Sequence, residues 1–193
     1  AVAGRWGRAP GRAPGATAGV GELLSGDVIG VDCGADFRLA DAQQCGLVYG
    51  SDRAGTWPYG LPEHPLPQGR KGREALAGAR RVAVPGCYPT ACTLALAPGF
   101  VGGVLEADDV VIVAASGTSG AGKSPQLHLL GAETMSSMSP YAVGGVHRHT
   151  PEIEQNLGAS AGQRVTVSFT PTLAPMPRGI LATCTAKMKP GVS

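Results

Sequence analysis

The sequence has few charged and few aromatic residues, and it has no apolar run of the length that a membrane crossing needs. Charged residues make up 16% of the 193 positions and the formal net charge is +2, which is too small to indicate a nucleic-acid-binding protein. No secretory leader is visible, and the five cysteines are an odd number at irregular spacing. We therefore expect reduced thiols in a cytoplasmic protein that binds neither nucleic acid nor membrane.

Hydrophobic residues make up 43% of the chain, so it can bury a core. Glycine (30) and proline (16) are frequent and unevenly spread. Residues 1–20 combine Gly, Pro and Arg without helical or strand periodicity, and we expect this stretch to be disordered.

Short strands and one short helix are predicted before the middle of the chain. Apolar runs at residues 28–32 and 82–84 predict buried strands, and residues 74–79 predict a helix between them. Such an alternation is typical of an α/β sheet, whose functional site lies at the carboxyl edge of the strands.

The second half predicts a different organisation. Longer strands are predicted at residues 110–114, 165–169 and 180–186. In the second of these, apolar residues alternate with Thr166 and Ser168, which predicts an α+β sheet with one covered face. We place a domain boundary near Cys87, between residues 21–86 and residues 87–193.

Cys87 lies where the second predicted strand meets a predicted helix. Pro85 and Gly86 predict a sharp turn, and Pro89 suits the first turn of the helix that follows. A thiol at a helix N-terminus faces unpaired N–H groups and the positive end of the helix dipole, and both favour the nucleophilic thiolate. The alternative is a small core residue, as free cysteines often are.

Two of the four histidines, His147 and His149, flank Arg148. If this segment is extended, both imidazoles point to one face, because side chains alternate along a strand. Such a cluster can move a proton and hold an anion. The alternatives are a solvated polar loop, or a zinc site with Cys87 that lacks the usual ligand spacing.

A short helix is predicted directly after the histidines. Thr150 is a suitable N-cap and Pro151 suits the first turn. Gly158 is the predicted end of this helix.

Residues 117–124 satisfy the nucleotide phosphate-loop pattern G-x-x-x-x-G-K-[ST], and they follow a predicted strand. Pro125 follows at once, where that pattern requires a long helix, and the next predicted strand leads into Thr170 rather than Asp. An ATP or GTP hydrolase is therefore the weaker hypothesis, and a Gly-rich turn that faces an anion is favoured.

Six motifs in order make the chain resemble the N-acetyl-γ-glutamyl-phosphate reductases, NADPH-dependent enzymes of arginine biosynthesis. They are DCGADFR at 32–38, YGLPE at 59–63, PGCYPT at 85–90, SGTSGAG at 116–122, HRHTPEI at 147–153 and RGILAT at 178–183. The resemblance implies part of a Rossmann-type domain joined to a semialdehyde-dehydrogenase-like catalytic domain with a mixed sheet. It also implies NADP(H), an acyl phosphate substrate and a homo-oligomer.

The resemblance assigns roles to residues. It implies Cys87 as the nucleophile, with His149 or His147 as acid and base and His149 favoured. Residues implied in substrate binding are Arg148, Arg178, Ser116 and Glu152. Residues implied in cofactor binding are Ser119, Gly120 and Gly122. The family's N-terminal cofactor-binding turn and its C-terminal end have no counterpart here, so the alternative is an inactive fragment that serves as an oligomerisation module.

Overall fold

The computed structural model describes residues 28–41, 55–121 and 126–192. The stretch predicted to be disordered, residues 1–20, lies outside the described residues, as does Gly122. The strands are β1 (Gly30–Asp32), β2 (Arg81–Ala83), β3 (Val110–Ser116), β4 (Ser139–Pro140), β5 (Val167–Leu173) and β6 (Ile180–Thr185). The α-helices are α1 (Arg73–Leu76), α2 (Cys87–Val101), α3 (Gly131–Thr134) and α4 (Thr150–Ala161). Short 3-10 helices lie at Pro67–Gly69, Thr118–Ala121 and Leu127–Leu129.

The first sheet consists of β1 and β2, which pair in parallel with Asp32 opposite Ala83. Tyr59 forms an isolated bridge on the other side of Ala83, so a third segment lies along β2. Both strands of the pair end at the same edge. The turn after β1 and the turn that leads to Cys87 therefore lie at the carboxyl edge, as the sequence predicts.

The second sheet is mixed and has the order β4-β5-β3-β6. Strand β3 is parallel to β5 and antiparallel to β6, and β4 is antiparallel to β5. Strand β5 begins two residues later than predicted and continues to Leu173, because its whole length pairs with β3. The predicted mixed sheet and the α/β class are confirmed.

Helices α2 and α4 cover one face of the mixed sheet. Ile112 and Ala114 point into the core with exposures of 0%. Val111 and Val113, which alternate with them along the strand, are exposed. The core is formed by Tyr88, Cys92, Leu96 and Phe100 of α2, Val110, Ile112 and Ala114 of β3, Ile153 and Leu157 of α4, and Phe169 of β5, with Ala107 and Val165. The opposite face of the sheet mixes apolar and hydroxyl side chains, and Val111, Val113 and Leu181 on it are exposed.

Two predicted limits of helix α4 are wrong. Thr150 is its first helical residue, with His149 in the N-cap position, so Thr150 does not cap the helix. The helix also continues past Gly158 to Ala161, and it is capped by Gly162, whose φ of 67° is left-handed. A glycine inside a helix costs only about 1 kcal/mol, and the burial of Leu157 and Ser160 on either side outweighs that cost.

The start of helix α2 at Cys87 is confirmed, and the helix runs on to Val101, beyond Pro98. Helix α1 is shorter than predicted. Within the described ranges, no helix has both the length and the apolar character that crossing a bilayer requires.

Candidate active site

The thiol of Cys87 is exposed at the first residue of helix α2. Gly86 before it has extended backbone angles, and its carbonyl accepts a 2.8 Å hydrogen bond from the Thr90 hydroxyl. Cys92, one turn further along, is fully buried in the core. The alternative that Cys87 is a small core residue is therefore wrong: Cys87 faces solvent at the helix N-terminus, and Cys92 is the cysteine of α2 that lies in the core.

His149 packs directly against the residue before Cys87. A Cβ atom placed on Gly86 would lie 2.8 Å from Nε2 of His149 and 3.0 Å from Oε2 of Glu152. Real Cβ contacts are longer than this, so only glycine allows the imidazole edge to approach the turn so closely. The sequence places these residues more than sixty positions apart, and the fold brings them together.

The two imidazoles lie on the same side of the chain, but the segment that carries them is a turn. His147 and His149 are 7% and 4% exposed with ring centroids 5.0 Å apart, whereas Arg148 between them is exposed. The predicted common face is confirmed and the predicted extended backbone is wrong. Gly144 and Gly145 have φ values of 76° and 82°, and these left-handed residues lead the chain into consecutive turns.

Both imidazoles are neutral at pH 7. Burial, with a smaller contribution from the Arg148 charge, lowers the pKa of His147 to about 4. Burial, followed by His147, Arg148 and Arg38, lowers the pKa of His149 to about 3. The backbone N–H of His149 donates a 3.0 Å hydrogen bond to Nδ1 of His147, so the proton of that ring lies on Nε2.

Glu152 is fully buried and is held by groups of the protein. Its Oε1 atom accepts hydrogen bonds from the backbone N–H of Gly86 at 2.8 Å and from the Tyr59 hydroxyl at 2.6 Å. Its Oε2 atom lies 3.5 Å from Nη1 of Arg38. This environment differs from the predicted substrate contact, because the carboxylate is enclosed and both oxygens have internal partners.

Sequence reasoning assigned no role to Arg38 or Tyr59. Arg38 is the last residue of the motif DCGADFR, and Tyr59 is the first residue of the motif YGLPE. Both motifs contribute to the family resemblance. Their place in these motifs is the signal in the sequence that could have identified them. Their common partner, Glu152, could not be recognised in the same way, because it lies about a hundred residues away in the sequence.

A cavity of about 370 Å³ is lined by His147, whereas Cys87 and His149 are not among its lining residues. Gly120 and Ala121 line it together with Tyr141, His147 and Arg148. The cavity therefore brings a residue predicted to bind the cofactor, Gly120, next to residues predicted to bind substrate and move a proton.

Two other predicted residues lie near this cavity without lining it. Ser116 is 4% exposed, and its Oγ atom accepts a 2.8 Å hydrogen bond from the Tyr88 hydroxyl. Ser119 is exposed on the 3-10 helix Thr118–Ala121. Ser116 thus contacts Tyr88 of helix α2, and Ser119 directly precedes Gly120, which lines the cavity.

Arg178 is exposed and lies beside the loop that follows β3. A Cβ atom on Gly117 would lie 2.5 Å from the backbone nitrogen of Arg178, and the Gly117 N–H donates to the Gly179 carbonyl at 2.9 Å. The fold therefore fixes the Arg178 segment against this loop, although Arg178 itself lies outside the lining of the cavity.

The described residues contain no group of three or more His, Cys, Asp or Glu side chains arranged to hold a metal ion. Lys123 and Ser124 of the phosphate-loop pattern lie outside the described residues. The next described elements are the 3-10 helix Leu127–Leu129 and the four-residue α3, so these elements do not supply the long helix that the pattern requires.

A family model described as semialdehyde dehydrogenase, dimerisation domain, matches residues 87–193. The chain belongs to the semialdehyde dehydrogenase dimerisation-domain family. Cys87 is the first residue of the part matched to this dimerisation domain, which also includes both histidines of the site. Arg38 and Tyr59 precede the dimerisation domain.

Curated relatives confirm the resemblance that the motifs predict. The N-acetyl-gamma-glutamyl-phosphate reductase of Streptomyces coelicolor is 65% identical over 179 residues, which are 93% of this chain and 51% of that protein. The reductase of the same name from Micrococcus luteus is 65% identical over 169 residues, 88% of this chain and 47% of that protein. The chain spans about half the length of the curated relatives it matches.

Among solved structures, the chain is similar to an aspartate semialdehyde dehydrogenase II from Vibrio cholerae complexed with ASA. The TM-score is 0.48 at 11% identity, over 68% of this chain and 44% of that chain.

Proposed function

We propose that the chain is the catalytic part of a cytoplasmic, NADPH-dependent reductase that converts N-acetyl-glutamyl 5-phosphate to N-acetylglutamate 5-semialdehyde in arginine biosynthesis. The observation that carries this proposal is the approach of His149 to the turn of Cys87. An exposed thiol at a helix N-terminus with a buried imidazole beside its turn is an arrangement suited to nucleophilic catalysis. The names of the curated relatives state the substrate and the reaction type, and the pathway is the one that the sequence resemblance implies.

In the first step, Cys87 attacks the carbonyl carbon of the acyl phosphate. His149 accepts the thiol proton, the new C–S bond forms, and the C–O bond to phosphate breaks with release of inorganic phosphate. His149 is favoured over His147 because its Nε2 atom faces Gly86, whereas His147 faces the cavity. His149 is neutral at pH 7, so one ring nitrogen has a lone pair for the proton. Burial lowers its pKa and makes it a weak base, so the proposed proton transfer accompanies formation of the C–S bond rather than preceding it.

The start of helix α2 supplies hydrogen-bond donors for the developing oxyanion. The backbone N–H groups of Cys87 and Tyr88 lie in the first helical turn, where they have no acceptor within the helix. Pro89 has no N–H, and the N–H of Gly86 is already bonded to Glu152. One such donor contributes about 2.7–4 kcal/mol to the transition state in other enzymes.

Two exposed arginines are the proposed partners of the substrate anions. Arg148 lines the cavity beside His147, and Arg178 lies next to the loop after β3. A guanidinium grips two oxygens of a phosphate or carboxylate at once. Ser116, which does not line the cavity, orients Tyr88 by accepting the hydrogen bond from its hydroxyl.

The residues around the cavity fit a nicotinamide cofactor, because the same cavity is lined by Gly120, which has no side chain to obstruct a ring, and by the charged Arg148. The proposed contacts are Ser119 and Gly120, with Gly122 following in the same Gly-rich motif. When bound, NADPH supplies the hydride that reduces the acyl group. His149, protonated in the first step, then returns the proton to the sulfur of Cys87 as the aldehyde leaves.

We also propose that the chain functions as a homo-oligomer with two structural units, residues 21–86 and 87–193. Membership of the dimerisation-domain family supports the assembly, and the match begins at the proposed boundary. The exposed sheet face is the proposed surface, because Val111, Val113 and Leu181 on it are 43%, 46% and 70% exposed. Burial of such a patch is favourable when a second copy covers it.

The acylation step tests the function without requiring reduction. Incubated with N-acetyl-glutamyl 5-phosphate and no cofactor, the chain is expected to gain one acyl group per Cys87 and to release one equivalent of phosphate, measured by intact-mass spectrometry and a phosphate assay. Cys87→Ser should do neither, and Cys33→Ser, which removes another exposed thiol, should do both. Acylation of Cys33, or none, would contradict the proposal. A calorimetric titration with NADPH that shows no heat would favour the inactive oligomerisation module.

A further inference from the structure

The hydroxyl of Tyr59 lies between two polar groups of helix α4. It donates a 2.6 Å hydrogen bond to Oε1 of Glu152 and accepts a 2.9 Å hydrogen bond from Nδ2 of Asn156. The directions are fixed, because a carboxylate only accepts and an amide NH₂ only donates. The Asn156 amide also contacts the Thr93 hydroxyl of α2 at 3.2 Å, so one polar chain links Tyr59 to both helices.

The backbone on either side of Tyr59 is held against the strand that precedes Cys87. The Gly60 N–H donates to the Ala83 carbonyl at 2.8 Å, and the Ala83 N–H donates to the Pro58 carbonyl at 3.0 Å. Ala83 is fully buried. The position of Tyr59 is therefore fixed by strand β2, the same strand that leads into the turn before Cys87.

Tyr59 and Gly86 meet at a single oxygen atom, Oε1 of Glu152. Burial, followed by the neighbouring Glu152 charge, raises the pKa of Tyr59 well above its ordinary value, so the hydroxyl remains a donor over the working pH range. A buried carboxylate that loses a donor becomes less well anchored, because no water replaces the missing hydrogen bond.

We propose that Tyr59 is a positioning residue for the Cys87 nucleophile and acts through Glu152 to hold the Gly86 turn against His149. This inference rests on the proposed role of Cys87. It adds a contribution from a segment that precedes the matched dimerisation domain, and Arg38 assists from the other carboxylate oxygen. Tyr59 touches none of the reacting atoms in this role.

Tyr59→Phe tests the inference, because it removes the hydroxyl and keeps the ring. Exchange of the Gly86 amide proton, followed by NMR, is expected to accelerate by about tenfold, since hydrogen bonds to charged groups are the stronger ones. Exchange at Ile112 in the core of β3 should stay unchanged. The rate of Cys87 alkylation by iodoacetamide should fall by about tenfold, because a small displacement of a reacting group has an effect of this order or more.

Glu154→Gln is the matched control. Glu154 lies on the same helix, and its Oε1 atom accepts a 3.2 Å hydrogen bond from the Val167 N–H. This variant should leave both the Gly86 exchange rate and the Cys87 alkylation rate at wild-type values.

Unchanged Gly86 exchange in Tyr59→Phe would overturn the inference, and so would unchanged alkylation of Cys87. Faster exchange at Gly86 and Ile112 together would show a general loss of stability and would overturn it as well. If wild-type Cys87 does not react faster than Cys33, the proposed function fails, whereas the exchange measurement still reports on the Tyr59 contact.

Discussion

The buried carboxylate of Glu152 accepts a 2.8 Å hydrogen bond from the backbone N–H of Gly86, the residue directly before Cys87. His149, three residues before Glu152, places its Nε2 atom against the same glycine. The first turn of α4 thus both anchors the nucleophile turn and supplies the proposed base. The two functions depend on one packing contact between α2 and α4.

Gly86→Ala is expected to disrupt this contact. The added methyl group would lie 2.8 Å from Nε2 of His149, so the imidazole or the turn must move. Overpacking of this kind costs about 1–3 kcal/mol of unfolding free energy. Urea unfolding should show the loss, and the alkylation rate of Cys87 should change with it.

Gly131→Ala is the control for that substitution. A Cβ at Gly131 would meet only the Met135 sulfur, at an ordinary 3.6 Å. Its unfolding free energy should match the wild type or exceed it by up to about 1 kcal/mol, because alanine is favoured over glycine in a helix. Equal stability of the two alanine variants would show that the Gly86 contact is looser than described.

Acidification should destabilise the fold. The ordinary pKa of histidine is 6.5, and the folded values of His147 and His149 are about 4 and about 3. The unfolded chain therefore binds more protons below pH 6.5, and the stability present above that pH is lost as the pH falls towards the folded values. Each imidazole contributes a slope of about 1.4 kcal/mol per pH unit within that window. Burial lowers the pKa of His64 too, which adds to the effect in the same direction.

Urea unfolding at pH 7.5 and pH 5.0 measures this dependence. The unfolding free energy should be lower at pH 5.0, and the difference should shrink in His147→Gln. A chain that is equally stable or more stable at pH 5.0 would contradict the neutral, buried state of the imidazoles.

The open sheet face should control assembly. Val113→Glu places a carboxylate on that face and is expected to halve the mass measured by light scattering, because a charge without a partner is costly in a buried interface. Leu94→Glu is the control, since Leu94 is similarly exposed (43% against 46%) but lies on helix α2. If the mass stays unchanged in Val113→Glu but falls in Leu94→Glu, the interface does not lie on the open sheet face, and the prediction is wrong.

Local patterns were enough to predict the elements around the site. The Pro-Gly turn and Pro89 predict the start of α2 at Cys87, and apolar runs predict strands β1, β2, β3 and β6 within a few residues. His147 and His149 share one side of the chain as predicted, but turns produce this arrangement and the alternation of a strand does not.

The contacts between distant segments could not be predicted in the same way. Glu152 looks like an exposed first-turn carboxylate of a helix, and its burial depends on Arg38 and Tyr59, which reach it only in the folded chain. Gly158 similarly looks like a helix end. Only the core packing on either side shows why the helix passes through it.

The alkylation rates of Cys87 and Cys33 in the same chain test the central claim most directly. Both thiols are exposed, but only Cys87 begins a helix beside a buried imidazole. With iodoacetamide at pH 7, followed by peptide mass spectrometry, Cys87 is expected to react about tenfold faster than Cys33, and the difference should vanish in urea. Equal rates in the folded chain, or faster labelling of Cys33, would contradict the assignment of Cys87 as the nucleophile.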